Sequence, residues 1–137
     1  MNKIVTFGVF DYFHLGHLRL FKQAKQYGDY LIVAVQKEEY ILKYKPDAVV
    51  FYSTEERVEL LEALRVVDEV VIYDIVGIKA LEKIDFDTLA LGEDHIGKRF
   101  DEIVEWCSLH GKKVVRLKRT PGIASSEIKR ELGSARK

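Results

Sequence analysis

The chain has 137 residues, 47% hydrophobic and 32% charged, the composition of an ordinary globular domain with a single core. Lysine plus arginine and aspartate plus glutamate both total 22, so no net basic or acidic field argues for a nucleic-acid or membrane partner. The lone cysteine, Cys107, excludes an internal disulfide; no cysteine–histidine cluster, secretory leader or membrane-length apolar run is visible, and the compartment to expect is the cytoplasm.

Taken in order, Ile4 to Phe7 is an apolar run that reads as a short buried strand. Gly8 then permits a tight turn, and Thr6-Phe7-Gly8-Val9-Phe10-Asp11-Tyr12-Phe13-His14-Leu15-Gly16-His17 passes into helical spacing. Leu18, Phe21, Ala24 and Lys25 follow at i, i+3, i+6 and i+7, and Gly28 closes the helix. Tyr30 to Val35 is continuously apolar, the pattern of a strand covered on both faces. Gln36 to Tyr52 has no clean period and carries Lys37, Lys43, Lys45 and Pro46, which predicts a long surface loop with room for one helical turn. Ser53-Thr54-Glu55-Glu56 fits a capping box and opens a helix to about Leu64, with Val58, Leu61 and Leu64 buried and Arg57 and Arg65 available.

Asp68 to Tyr73 is a third strand, Gly77 to Ile84 a short helix, and Thr88 to Leu91 a fourth strand that breaks at Gly92. Lys98 to His110 is helical and ends at Gly111, placed as a left-handed C-cap; Lys113 to Leu117 is the fifth strand. A last helix starts near Ser125 or Ser126 and fades by Gly133, leaving a frayed tail. This alternation predicts an α/β fold: a single Rossmann-like domain over residues 1–132, a five-stranded parallel sheet with helices on both faces, and a short tail over 133–137. The absence of G-x-G-x-x-G after the first strand argues against a dinucleotide-dependent dehydrogenase.

The chemistry-bearing residues concentrate where strands hand over to helices. His14 and His17 stand at such a junction, where an open α/β sheet places ligands and a helix N-terminus offers N–H groups to an anion. By themselves two such histidines are equally well ordinary surface or N-cap residues. They are poor zinc ligands, since one helical turn brings only two together where zinc needs three or four. Four further segments are expected at the carboxyl edge of the sheet: Lys43 and Lys45; Arg57 with Arg65 and Asp68; Leu91-Gly92-Glu93-Asp94-His95; and Arg119-Thr120-Pro121-Gly122-Ile123-Ala124-Ser125-Ser126. Solvated lysines, a helix-end arginine and turn aspartates are the bland explanations of the first three. The fourth opens a helix whose N–H groups and hydroxyls form a phosphate seat, with Arg119 adding a planar cationic fork.

The first string resembles the H-x-G-H signature of the nucleotidyltransferase superfamily, in the G-x-F-D-x-x-H-x-G-H form of the small cytidylyltransferases. The Arg119 segment is similar to their R-T-x-G-I-S-[ST]-[ST]. The resemblance spans about residues 3–132 and is nearest to the glycerol-3-phosphate cytidylyltransferases, with the ethanolamine- and choline-phosphate enzymes more distant. It implies a homodimer that uses CTP, a small phosphomonoester acceptor and Mg²⁺ held mainly through the triphosphate rather than by a protein metal site. It also implies roles: His14, His17 and Arg119 at the reacting phosphates; Phe7, Gly8, Val9, Phe10, Gly16, Lys43, Lys45, Arg65, Gly92, Asp94, Thr120, Ile123, Ser125 and Ser126 on the nucleotide; Asp11, Arg57 and again Lys43 towards the acceptor.

The chain departs from that pattern at Val9 for threonine, at Ala124 for serine, and at His95 where the glycerol-phosphate enzymes tend to carry tryptophan. Gln36-Lys37-Glu38 also replaces a small-polar-then-aspartate turn, and these changes bear on the acceptor more than on nucleotidyl transfer. The competing expectations are an adenylyltransferase acting on a sugar or pantetheine phosphate, a non-catalytic nucleotide-binding module on the same fold, and a structural domain.

Overall fold

The computed structural model describes residues 1–118. In chain order they form β1 (Lys3–Gly8), α1 (Leu15–Lys25), β2 (Tyr30–Gln36), α2 (Glu38–Tyr44), α3 (Thr54–Glu62), β3 (Glu69–Tyr73), α4 (Ile78–Glu82), β4 (Thr88–Gly92), α5 (Lys98–Leu109) and β5 (Lys113–Leu117). The five strands make one sheet in the order β3-β2-β1-β4-β5, every neighbouring pair parallel. Helices cover both faces, and the alternation along β2 shows why. Leu31, Val33 and Val35 pack into one apolar layer with Phe21 and Ala24 of α1 and Leu61 of α3. Ile32 and Ala34 point the other way, into a second layer with Leu81 of α4 and Ile103 and Cys107 of α5. The central strands β1, β2 and β4 are thus buried on both sides, the condition that gives a parallel sheet its unbroken apolar strands.

The capping box at Ser53 is present, with Ser53 Oγ accepting from Glu56 N at 3.1 Å and Glu56 Oε1 accepting from Ser53 N at 3.0 Å. Gly111 takes the left-handed conformation (φ 70°) past α5. Three local expectations change. The stretch 36–52 contains a seven-residue helix, α2, rather than a loop with one turn; of its described side chains only Ile41 is buried, so no apolar period announces it. Gly28 is no helix cap: it lies against the start of β1, where a Cβ would come within 2.6 Å of the Asn2 carbonyl. Asp68 precedes β3 instead of opening it, accepting from Leu31 N at 2.8 Å and pairing with Lys25.

β1 and β4 define the switch point of the sheet, because the chain leaves β1 towards β2 on one side and only later returns to β4 on the other. Their last paired residues are Thr6 and Ala90. Continuing that register sets Gly8 opposite Gly92 as the two strands part, and an open α/β sheet binds its ligands in this crevice. The predicted C-terminal helix and tail lie outside the described residues.

Candidate functional site

One wall of the crevice is the loop from β1 into α1. His14 is the N-cap of α1, and its Nδ1 accepts the Gly16 N–H at 3.0 Å. His17 Nδ1 accepts the His14 N–H at 3.3 Å, so the two imidazoles complete a capping box in the roles usually taken by serine and glutamate. Their rings stack with centroids 3.9 Å apart and planes 23° from parallel. Since each Nδ1 is an acceptor, each proton sits on Nε2. His17 Nε2 has no partner among the described residues and reaches solvent. Burial, and secondarily the neighbouring His14, lowers the His17 pKa to about 4, so this ring is a neutral donor at physiological pH.

The turn that delivers the histidines is strained. Phe10 (φ 55°) and Tyr12 (φ 49°) both adopt the left-handed conformation, which costs a non-glycine residue about 1–2 kcal/mol. Burial of the Phe10 ring offsets this. It folds beneath Gly8, where a Cβ would come within 2.6 Å of Phe10 Cζ, and packs edge-on against His17 (5.4 Å) and Phe21 (5.2 Å). The only residue that fits between this ring and the sheet is a glycine.

Between the two left-handed residues, Asp11 is 5% exposed and accepts from Phe51 N at 2.7 Å and Tyr52 N at 3.0 Å. Arg57, at the start of α3, has no exposed surface. Its Nη1 donates to the carbonyls of Val9 and Gln36, both at 2.8 Å, its Nε to the Tyr52 carbonyl at 3.3 Å, and its Nη2 to Thr54 Oγ1 at 3.3 Å. One buried cation therefore ties the histidine loop, the end of β2 and the lead into α3. The expectation that Arg57 is available to an acceptor is corrected: its donors are spent on backbone carbonyls that would otherwise be orphaned. The oxygens of Asp11 hold the 51–52 backbone in the same way. Phe7 and Phe10, expected on the nucleotide, bury their side chains in the two core layers, which leaves only their backbone to face a ligand. The N–H of Gly16 is already taken by His14, while Val9 and Gly8 are half-buried at the crevice.

The opposite wall follows β4. Gly92 ends the strand, Asp94 is exposed, and its Oδ1 lies 2.9 Å from where a Cβ on Gly92 would stand. His95 Nδ1 accepts from Gly92 N at 3.0 Å, and its ring stacks on Phe100 at 5.0 Å and 18°. Arg116 of β5 donates to the carbonyls of His95 (2.5 Å) and Gly92 (3.3 Å) and holds the loop. Arg116 and Phe100 were not legible as site residues: a cation on an edge strand and an aromatic in a first helical turn carry no signal of their own.

Lys43 and Lys45 stand exposed at the end of α2, which rises from the carboxyl end of β2 next to β1. Arg65 does not join them. It lies past the end of α3, and the chain then re-enters the sheet at its amino edge, where Asp68 bonds Leu31 N and Lys25 Nζ donates to the Val66 carbonyl at 3.4 Å. A five-residue strand separates that edge from the crevice, about 16 Å. Arg65, expected on the nucleoside, thus lies at the opposite edge of the sheet from the crevice. Arg119, Thr120, Ile123, Ser125 and Ser126 lie outside the described residues. The residue before them, Lys118, is clamped on α1 by Gln23, whose Nε2 donates to the Lys118 carbonyl at 2.9 Å and whose Oε1 accepts the Lys118 N–H at 3.1 Å.

The family model described as cytidylyltransferase-like matches residues 5–131. The chain is 40% identical over 134 residues to the glycerol-3-phosphate cytidylyltransferase of Bacillus subtilis, covering 96% of this chain and 98% of that one. It is 43% identical over 107 residues to the FAD synthase of Ferroglobus placidus, covering 77% of this chain but 65% of that protein. Among solved structures, the lipopolysaccharide core biosynthesis protein of Thermoplasma volcanium superposes with a TM-score of 0.74 at 26% identity, over 88% of this chain and 98% of that chain.

Proposed function

The chain belongs to the cytidylyltransferase-like family, and from that premise we propose that it transfers CMP from CTP to a small phosphomonoester, glycerol 3-phosphate by default, releasing pyrophosphate. The near full-length similarity to glycerol-3-phosphate cytidylyltransferases supports the donor and the default acceptor. The observation that carries the chemistry is the stacked pair His14 and His17, each with Nδ1 committed to the backbone and its proton on Nε2.

A phosphomonoester is anionic near neutral pH, so no general base is needed to make the nucleophile. One of its oxygens attacks the α-phosphorus of CTP in line; the new P–O bond forms as the bond from the α-phosphorus to the bridging oxygen breaks, and pyrophosphate carries away the electron pair. The protein's part is alignment, with fixed donors aimed at charge that grows on the α-phosphate and the leaving group. His17, neutral and fixed at the mouth of α1, suits that task, with His14 beside it. Lys43 and Lys45 add exposed cations for the triphosphate, and the segment from Arg119 through Ser126 a second phosphate seat. Gly92 and Asp94 face the nucleoside.

Mg²⁺ would be held mainly by the triphosphate rather than by protein side chains, and would supply charge neutralisation on the phosphate oxygens. A cytoplasmic homodimer completes the reading; no helix among the described residues is long and apolar enough to cross a membrane.

The experiment is pyrophosphate release with CTP or ATP across a panel of polyol, amino-alcohol and sugar phosphates and FMN. CTP with glycerol 3-phosphate is expected to give the highest kcat/KM. Faster turnover with ATP and FMN would favour the second reading, an adenylyl transfer like that named by the FAD synthase relative. Tight CTP binding with no turnover for any acceptor would leave a nucleotide-binding module.

A further inference from the structure

The β4 wall holds a third imidazole in the same electronic state as the catalytic pair. His95 Nδ1 accepts the N–H of Gly92, the residue that register continuation sets opposite Gly8 across the crevice. The proton of the ring therefore sits on Nε2, on the far side from the strand end. Nε2 has no partner among the described residues, and since no buried side-chain nitrogen among those residues lacks one, this atom is open to solvent. The ring cannot swing freely: Phe100 stacks on its face, and Arg116 pins its carbonyl from β5. The result is one N–H donor, oriented by three contacts, at the switch point of the sheet.

We infer that His95 is a specificity-determining residue for the nucleoside half of the substrate, its Nε2–H donating to an acceptor atom of the base. This rests on the reading that a nucleoside triphosphate lies in the crevice with its phosphates on the histidine wall. If the phosphates occupy that wall, the base is carried towards the other one, where Asp94 supplies an acceptor and His95 a donor. A base edge with an exocyclic amine beside a ring nitrogen matches that pair; one with a carbonyl beside a ring N–H opposes it. A site built with fixed polar partners rejects the mismatched ligand because those partners are left unpaired. His95 is accordingly a device for choosing cytosine or adenine over uracil or guanine, acting through an atom independent of the one that shapes the loop.

Two substitutions separate those atoms. His95→Asn places an amide oxygen near the position of Nδ1, able to accept from Gly92 N, and removes the outer donor. His95→Gln places an amide N–H near the position of Nε2 and gives up the Gly92 bond. Binding of CTP, UTP and inorganic tripolyphosphate by the full chain would be measured calorimetrically, with thermal melting beside it. The inference expects His95→Asn to keep its Tm, to lose about tenfold in CTP affinity, the worth of one hydrogen bond, and to narrow the CTP-to-UTP preference. His95→Gln is expected to melt earlier yet bind CTP within about threefold of the native chain. Tripolyphosphate affinity is expected unchanged in both. The inference is overturned if the order is reversed, with His95→Gln losing CTP and His95→Asn keeping it, or if both variants lose CTP and tripolyphosphate equally. Failure of the underlying reading looks different: the native chain would then bind tripolyphosphate as well as CTP, or bind neither.

Discussion

His17 accepts through Nδ1 the backbone N–H of His14, the residue whose ring it stacks against at 3.9 Å. One contact thereby does two things. It satisfies an orphan N–H at the start of α1, and it forces the His17 proton outward onto Nε2. Helix capping and the outward presentation of the Nε2 donor are the same hydrogen bond read from its two ends. The choice between N-cap histidines and phosphate-binding histidines, open at the level of sequence, was a choice between compatible descriptions.

Asparagine tests this directly, because its amide oxygen can replace Nδ1 as the acceptor while the outer donor disappears. His14→Asn and His17→Asn are each expected to fold with near-native Tm and to lose at least ~10²-fold in kcat, the scale for removing one preorganised donor. Steady-state pyrophosphate release and far-UV melting make the comparison. Turnover within a few-fold of native in both variants would remove the mechanism.

Burial of the same ring makes stability depend on pH. His17 has a pKa lowered to about 4 in the folded chain against 6.5 in the reference state. As pH falls through 6.5 the unfolded chain takes up a proton that the folded one refuses, so the folded state loses stability down to about pH 4, below which both are protonated and the slope vanishes. Protonating Nδ1 also strips the His14 N–H of its acceptor. The Tm is expected to fall across that window, and His17→Asn to flatten the decline. An identical slope in the variant would assign the effect to other groups.

Arg57 reads as a ligand in sequence and as a staple in the structure, and its two readings part under mutation. Arg57→Met is expected to cost roughly 3 kcal/mol or more, since it strands the carbonyls of Val9, Gln36 and Tyr52. Arg57→Lys should recover little, because an ammonium cannot span acceptors set around a planar fork. The loss should appear in Tm and kcat together. A native Tm with a raised KM for glycerol 3-phosphate alone would restore the acceptor-binding role.

The sheet was legible because its central strands are covered on both sides: Tyr30 to Val35 can be little else. The place of the histidines at a strand-to-helix junction was legible too, whereas the strand order that makes this junction the switch point belongs to the fold. What escaped was direction. Arg57 and Arg65 stand eight residues apart, within and just past one predicted helix, yet the helix leaves the first at the carboxyl edge and delivers the chain, with the second, to the amino edge, so a role for one says nothing of the other. Burial of a cation was equally unreadable, since the acceptors of Arg57 come from carbonyls in segments 5, 21 and 48 residues away. His95 showed as a departure from the family pattern, but the bond to Gly92 that orients it is a property of the fold.

Gly8 gives the last test, because its role depends on a neighbour's ring. Gly8→Ala pushes a Cβ to within 2.6 Å of Phe10 Cζ and 2.9 Å of Cε2, so the ring must move, and with it the edge-on contact to His17. Overpacking of this kind costs about 1–3 kcal/mol. Shrinking the obstacle should relieve it: in a double-mutant cycle, Gly8→Ala with Phe10→Leu is expected to be less destabilised than the sum of the single changes by about 1 kcal/mol. Denaturant unfolding of the four proteins measures the coupling. Strict additivity would mean that the ring and the glycine are not in contact, and that the left-handed turn at Phe10 is held by something other than the burial of its side chain.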